Sequence, residues 1–165
     1  MRNITDKESS YDSIISQYGP MISRICYFYA GRGLSFDDLY QDVCMTLWQN
    51  IGSFRGEAKI STWLYRLTLN TCLTSVRRET KHKTVELEDN YDLADAPESG
   101  DERASALYKA ISMLGPVEKG IVMMRLDEKS YDEIATVMGI SKTNVAVKLH
   151  RIKTKMAKFL NDECD

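Results

Sequence analysis

The sequence predicts an all-α protein: two small helical domains joined by a flexible acidic linker. Three observations lead to that expectation. Apolar residues recur at i, i+3, i+4 and i+7 on both sides of residues 83–101, and no stretch reads as a strand. Within 83–101 the periodicity disappears, and Ala96-Pro97-Glu98-Ser99-Gly100 is rich in breakers. Finally, Ser130 to Leu160 has the form of two helices joined by a short Gly-containing turn, the second helix basic. The expected boundaries are 9–80 for the first domain, 81–101 for the linker and 102–161 for the second domain.

In chain order, Tyr11, Ile14, Ile15 and Tyr18 mark a first amphipathic helix, expected to end at Gly19-Pro20. Ile22, Ile25, Cys26 and Tyr29 mark a second, ended by Gly31-Arg32-Gly33. Ser35 caps a third, with Phe36, Leu39, Tyr40, Val43 and Leu47 inward. Its outer face carries Asp38, Gln41, Asp42, Met45 and Gln49. The two acids suit the helix dipole, which is a purely structural role. Met45 exposed beside carboxylates is the sharper signal, because it marks an interaction face. A loop, Gly52 to Glu57, holds Phe54 and Arg55 between glycines. Ser61 or Thr62 is then expected to cap a long helix, with Trp63, Leu64, Leu67, Leu69, Leu73 and Val76 apolar. Its polar side carries Arg66, Asn70, Thr71, Thr74, Arg77 and Arg78. Cations on a helix beside an aromatic loop suit single-stranded nucleic acid, with bases on rings and phosphates on arginines. Trp63 itself reads first as a core residue.

Beyond the linker, Leu107, Ile111 and Leu114 resume a helix, and Gly115-Pro116 breaks it. The next helix, Val117 to Leu126, contains Gly120, which costs about 1 kcal/mol in a helix interior and points to close packing. Ser130 stands three residues before Glu133, the spacing of a capping box. Tyr131, Ile134, Ala135 and Met138 form one apolar face, and Gly139 supplies a left-handed cap. Ser141 opens the last helix, whose stripe is Val145, Leu149, Ile152, Met156 and Phe159. Beside it, after Lys142, run Asn144, Lys148, Arg151, Lys155 and Lys158. Cations repeating every turn can neutralise phosphates along a groove. Asn144, in the first turn, can bond an adenine edge, and exposed Val147 can meet a thymine methyl. The competing reading is a solvated amphipathic helix that merely packs on its partner.

A net charge of −2 conceals strong local differences. Residues 84–102 hold eight acids and no Lys or Arg, whereas Lys142 to Lys158 lacks any acid. Cys26, Cys44 and Cys72 lie in apolar helical patterns and read as buried reduced thiols. Cys164, near the end, reads as exposed. No cysteine pair has zinc-site spacing, and no Gly-rich phosphate loop or nucleophile motif occurs, so neither metal nor cofactor is expected. No apolar run approaches membrane-spanning length, and MRNITDKESS has no apolar segment behind its charge. A cytoplasmic protein that does not insert into a membrane is expected.

Together the two halves resemble the extracytoplasmic-function (ECF) sigma factors of the sigma-70 family. Phe36-Asp37-Asp38-Leu39-Tyr40-Gln41-Asp42-Val43 with Trp48 resembles the family helix that docks on the clamp of RNA polymerase. Phe54-Arg55-Gly56, then Ser61-Thr62-Trp63-Leu64-Tyr65-Arg66, Asn70 and Arg77-Arg78, is similar to the segments that capture the promoter's (−10) element. Leu114 to Met156 is similar to the helix-turn-helix that reads the (−35) element. Thr74 and Ala146-Val147 depart from the acid and the Lys-Ser pair that many relatives carry. The resemblance implies core RNA polymerase docking through Asp38, Leu39, Gln41, Asp42 and Met45. It implies capture of melted (−10) DNA by Phe54, Arg55, Arg66, Asn70, Arg77 and Arg78. Duplex (−35) recognition falls to Lys142, Asn144, Val147, Lys148, Arg151 and Lys155, and an anti-sigma factor is implied as a further partner. Such a protein makes no bond and is not an enzyme.

Three other classes compete with this reading. A polymerase-independent regulator would need a ligand pocket or phosphoacceptor in the first domain, and none is recognisable. A sigma mimic that only sequesters partners has no use for basic rows, and a nucleic-acid enzyme needs a catalytic constellation.

Overall fold

The computed structural model describes residues 4–82 and 100–162; the acidic run at 83–99 and Cys164 lie outside them. Seven helices follow one another with no strand among the described residues, and the chain divides into two compact units, Met1–Asn90 and Tyr91–Asp165. The all-α, two-domain expectation holds. The first domain's last helix runs to His82, so Lys81 and His82 belong to that helix rather than to the linker.

The first unit is a three-helix bundle of α1 (Ile4–Tyr29), α2 (Phe36–Asn50) and α3 (Ile60–His82), with a 3₁₀ turn at Ile51–Ser53. The two helices expected before Gly31 are one, with Pro20 inside α1. A proline in a helix interior removes a hydrogen bond and costs about 3 kcal/mol. Ile14, Ile22, Ile25, Cys26 and Tyr29 are all buried. At roughly 1.5–3 kcal/mol per large buried side chain, packing on both sides of Pro20 outweighs that penalty. Gly19 is buried where α1 passes close to α2, and a Cβ there would sit 3.8 Å from the Tyr40 hydroxyl.

The turn into α2 is tight. Gly31 and Leu34 exchange N–H···O bonds of 2.8 and 3.0 Å, and Arg32 and Gly33 between them both have positive φ (52° and 90°). That is the backbone of a two-residue reversal, and glycine makes half of it strain-free. Ser35 caps α2 as expected, its Oγ accepting from the Asp38 N–H at 3.1 Å. α3, however, starts at Ile60, so Ser61 and Thr62 lie in its first turn and neither is the cap. Cys72 joins Leu64 and Leu69 in the core as expected, and so do Tyr65 and Thr68, which the apolar pattern alone missed. Cys26 and Cys72 are buried, whereas Cys44 is only half-buried. A hydrogen bond with Cys26, together with burial, pushes the Cys72 thiol pKa well up, so it is packing rather than a nucleophile.

The second unit contains α4 (Glu102–Ser112), α5 (Pro116–Leu126), α6 (Tyr131–Met138) and α7 (Lys142–Asp162). Ala110, Ile111, Leu114, Ile121, Met123, Met124, Ile134, Val145, Leu149 and Ile152 form its core, and α7 packs on each of the other three helices. Ile111, Leu114 and Ile134 are buried as expected, whereas Leu107 stays exposed and Val137, absent from the expected apolar face of α6, is buried as well. Gly120 is buried within α5, in line with close packing. The α6–α7 turn is as expected: Ser130 and Glu133 make a reciprocal capping box, Gly139 takes φ 68°, and the Ser141 Oγ accepts from the Asn144 N–H at 3.1 Å.

At the amino-terminal end of the bundle, Tyr11 meets the edge of Trp48 (centroids 5.4 Å) and Lys7 lies 4.5 Å over the same ring. Burial first, then a hydrogen bond with the Cys44 thiol, pushes the Tyr11 pKa up to about 12 from 10.0. A raised phenol pKa stabilises the fold below the unfolded value and loses that contribution as pH rises through the folded one. The urea midpoint is therefore expected to fall between pH 10 and about 12, and Tyr11→Phe should flatten that decline. Equal declines in the two proteins would show that Tyr11 is not responsible.

Candidate nucleic-acid interface

In the first unit, α3 presents opposite sides to two different environments. Leu64, Tyr65, Thr68, Leu69 and Cys72 face the core. Trp63, Arg66, Leu67, Asn70, Thr71, Thr74, Ser75 and Arg78 wall a cavity of about 520 Å³, and Asp42, Met45, Thr46, Gln49, Asn50 and Ser53 close it from the α2 side. Two residue sets that the sequence kept apart therefore share one groove: Asp42 and Met45 from the presumptive docking face, and Arg66, Asn70 and Arg78 from the presumptive (−10) face.

The chemistry of this groove follows from how its hydroxyls are used. The Thr71 hydroxyl donates to the Leu67 carbonyl at 2.8 Å, and that of Thr74 to the Asn70 carbonyl at 2.7 Å. On the α2 side, Thr46 donates to Asp42 O at 2.8 Å and Ser53 to Asn50 O at 2.6 Å. With their protons spent on backbone, these hydroxyls turn lone pairs toward the groove. The Asn70 amide adds both a donor and an acceptor, and Arg66 and Arg78 add planar cations. Phe54 lies against Trp63 with ring centroids 5.1 Å apart. Trp63 is half-buried: it packs against the core cluster of Ile14, Leu47, Ile51 and Leu64, as expected, and also walls the groove. An aromatic floor, amide edges and guanidinium groups are what an unstacked base and its phosphate require.

Other expected residues lie elsewhere. Leu39 is 1% exposed, so it supports the α2 face from beneath and is removed from the docking surface. Asp38 and Gln41 are exposed on α2 outside the groove, while Met45, 55% exposed, is at its rim. Arg55 and Arg77 are exposed but do not line the cavity.

In the second unit, Asn144, Val147 and Arg151 are exposed on one flank of α7, and Lys148 is half-buried beside them. Lys142 is on another side, since two residues earlier on a helix is roughly 160° around. It reaches back to Asp132 of α6, with Nζ 3.4 Å from Oδ2. Lys155 is also engaged: its Nζ lies 2.9 and 3.1 Å from the two carboxylate oxygens of Glu118 on α5. Glu118 Oε2 accepts in addition from the Gly115 N–H at 3.1 Å. Burial pushes the Glu118 pKa up, but bonds from Lys155 and Gly115 and the charges of Lys155 and Lys148 outweigh it, leaving the net shift downward. No sequence spacing signalled Glu118, because it stands 37 residues from its partner.

Comparison with known proteins decides between the classes weighed above. The sigma-70 region 2 model matches residues 14–82, and a sigma-70 region 4 model matches residues 104–156. The chain is 31% identical over 129 residues to the RNA polymerase sigma factor YlaC of Bacillus subtilis, covering 73% of this chain and 75% of that protein. It is an ECF sigma factor of the sigma-70 family. A second relative, the ECF RNA polymerase sigma factor SigM of Mycobacterium tuberculosis, is 29% identical over 153 residues, covering 92% of this chain and 77% of that protein. The fold is shared with the sigma factor RpoE of Bartonella quintana, solved with the anti-sigma factor NepR (TM-score 0.75, 17% identity, 92% of this chain and 97% of that one). It is also shared with CnrH, solved with the cytosolic domain of CnrY (TM-score 0.66, 16% identity, 94% and 90%). As a sigma factor, the protein binds core RNA polymerase and directs promoter-specific initiation, with no catalytic chemistry of its own.

Among the described residues no group of three or more His, Cys, Asp or Glu is placed to hold a metal ion, and no helix is long and apolar enough to cross a membrane. Because Trp63 in this sigma factor is only half-buried, packed on the core at one side and walling the groove at the other, Trp63→Ala should lower stability by roughly 1–3 kcal/mol, below the 3–5 kcal/mol typical of a fully buried tryptophan. Its larger effect should be on binding of a single-stranded oligonucleotide, measured by anisotropy. A full core-sized loss of stability with unchanged oligonucleotide binding would make Trp63 a core residue alone.

Proposed function

We propose that the first unit docks on core polymerase through exposed Asp38, Gln41, Asp42 and Met45 and holds the melted (−10) strand in the α2–α3 groove. The observation that carries this reading is the groove itself, where Asn70, Arg66 and Arg78 converge beside Trp63. Holding a base out of the stack costs a few kcal/mol, and a shaped pocket with phosphate contacts offsets that. Phe54 supports Trp63 from the loop, and Arg55 and Arg77 extend the positive surface outside the cavity.

The second unit reads the (−35) duplex with α7. Asn144 and Val147 meet base edges in the major groove, and Arg151 and Lys148 meet phosphates. Lys142 and Lys155 enter this reading only by exchanging Asp132 and Glu118 for phosphate. The working segments are 9–80 for docking and melting and 102–161 for upstream recognition, separated by the acidic stretch. Two solved neighbours are complexes, one named with an anti-sigma factor, which supports restraint of this chain by a comparable partner. Its place of work is the cytoplasm, where polymerase and promoter are.

Two experiments test the assignment. Asp38→Lys with Asp42→Lys reverses the charge of the α2 face at exposed positions, so core polymerase pull-down should be lost while the thermal melt is retained. Normal pull-down by the folded double mutant would refute the docking surface. Asn70→Ala should keep core binding but give poor open complexes on duplex promoters, with activity partly restored on a template mismatched across the start region. Permanganate reactivity of unpaired thymines at the wild-type level in Asn70→Ala would mean that the groove does not stabilise melted DNA.

A further inference from the structure

The basic row of α7 contains a feature that DNA binding alone does not call for. Lys155 lies roughly 16 Å along the helix from Asn144, on the same flank, where a helix leaving the major groove passes the phosphate backbone. Yet its ammonium is held by both oxygens of a single carboxylate, at 2.9 and 3.1 Å. The pair joins α5 to α7 across 37 residues of chain. Lys155 keeps 54% of its side chain exposed, so it is within reach of solvent and of DNA, while the Glu118 side chain is 24% exposed.

The charge on Glu118 is not needed for the other contact it makes. Its Oε2 accepts from the Gly115 N–H at 3.1 Å, the back half of a capping box, and a glutamine oxygen can accept the same bond without the charge assistance. A pair with its lysine this exposed adds little stability. What only the carboxylate does is occupy Lys155 with two oxygens in the way that a phosphate would, next to Lys148.

We propose that Glu118 is an internal competitor for DNA phosphate, holding Lys155 off the duplex and weakening sequence-independent binding by the second unit. This rests on the assignment of α7 as the duplex-facing helix. The consequence is a gain in specificity. Base contacts from Asn144 and Val147 are untouched by Glu118, whereas the phosphate term common to all sequences is reduced by one cation. A factor that must find few promoters among many competing sites benefits from that difference.

The test is a salt series with the full chain and a short mixed-sequence duplex, read by fluorescence anisotropy. Glu118→Gln should steepen the slope of log K against log salt by about 0.9, one phosphate, so that a fourfold rise in salt weakens it roughly threefold more than the wild type. Adding Lys155→Gln to Glu118→Gln should return the slope to the wild-type value. Adding Lys153→Gln instead, on the opposite flank of α7, should not. An unchanged slope in Glu118→Gln, or equal reversal by Lys153→Gln and Lys155→Gln, overturns the proposal, the second outcome assigning the change to overall charge. Arg151→Ala is the separate control. If it leaves duplex binding unaltered, the α7 assignment itself fails and the competitor reading falls with it. Melting curves accompany each variant, and a drop in Glu118→Gln with no change of slope would make the pair a structural clasp.

Discussion

Everything in the first unit depends on burying one side of α3. That helix runs 23 residues with a core stripe of Leu64, Tyr65, Thr68, Leu69 and Cys72, and α1 and α2 both pack against it. Once that stripe is fixed, helical geometry leaves no freedom for the rest. Asn70, Thr74 and Arg78 must point away from the core, Trp63 sits at its edge, and the neighbouring face of α2 turns Asp42, Met45 and Gln49 toward them. The groove is therefore a by-product of core packing. Its polar groups are held by main chain already committed to the helix, as the hydroxyl-to-carbonyl bonds of Thr71 and Thr74 show. Preorganisation of this kind lowers the entropy lost when a strand is captured.

The same logic produces a different surface in the second unit. α7 is long because its inner stripe, Val145, Leu149 and Ile152, serves all three other helices. Its outer flank is thereby presented to solvent as a straight row, and the short turn at Gly139 fixes how α6 braces it. Two of the cations in or near that row are drawn into local pairs, with Asp132 and Glu118, because acids on α6 and α5 come within reach of them. A helix read alone gives a uniform basic face; the packed domain gives one graded by its neighbours.

Local signals carried most of the fold. Ser35, Ser130, Gly139 and Ser141 act within four residues of themselves, and each is where its side chain or backbone freedom predicts. The misses arose where distant packing decided. Pro20 reads as a stop because a proline penalty is local, while the burial that overrides it comes from α2 and α3. Trp63 reads as core because large aromatics are usually buried, and it does pack on the core, but at its edge, where it also walls the groove. Leu39 enters the docking set through the family resemblance alone; the periodicity of α2 already points it inward, and it is buried.

The candidate site divides along the same line. Residue types suited to DNA were visible in the sequence, since Asn, Arg and Lys at helical spacing need no partner to be recognised. Their grouping was not. That Asp42 and Met45 share a cavity with Asn70 and Arg78 depends on how α2 lies against α3, which no periodicity encodes. That sharing has a mechanical consequence. A partner pressed on the α2 face at Met45 stands at the rim of the groove that would hold the melted strand, so docking and strand capture are geometrically adjacent events. Any substitution at Asp42 or Met45 therefore alters the wall of the groove together with the α2 face, so the two surfaces cannot vary independently.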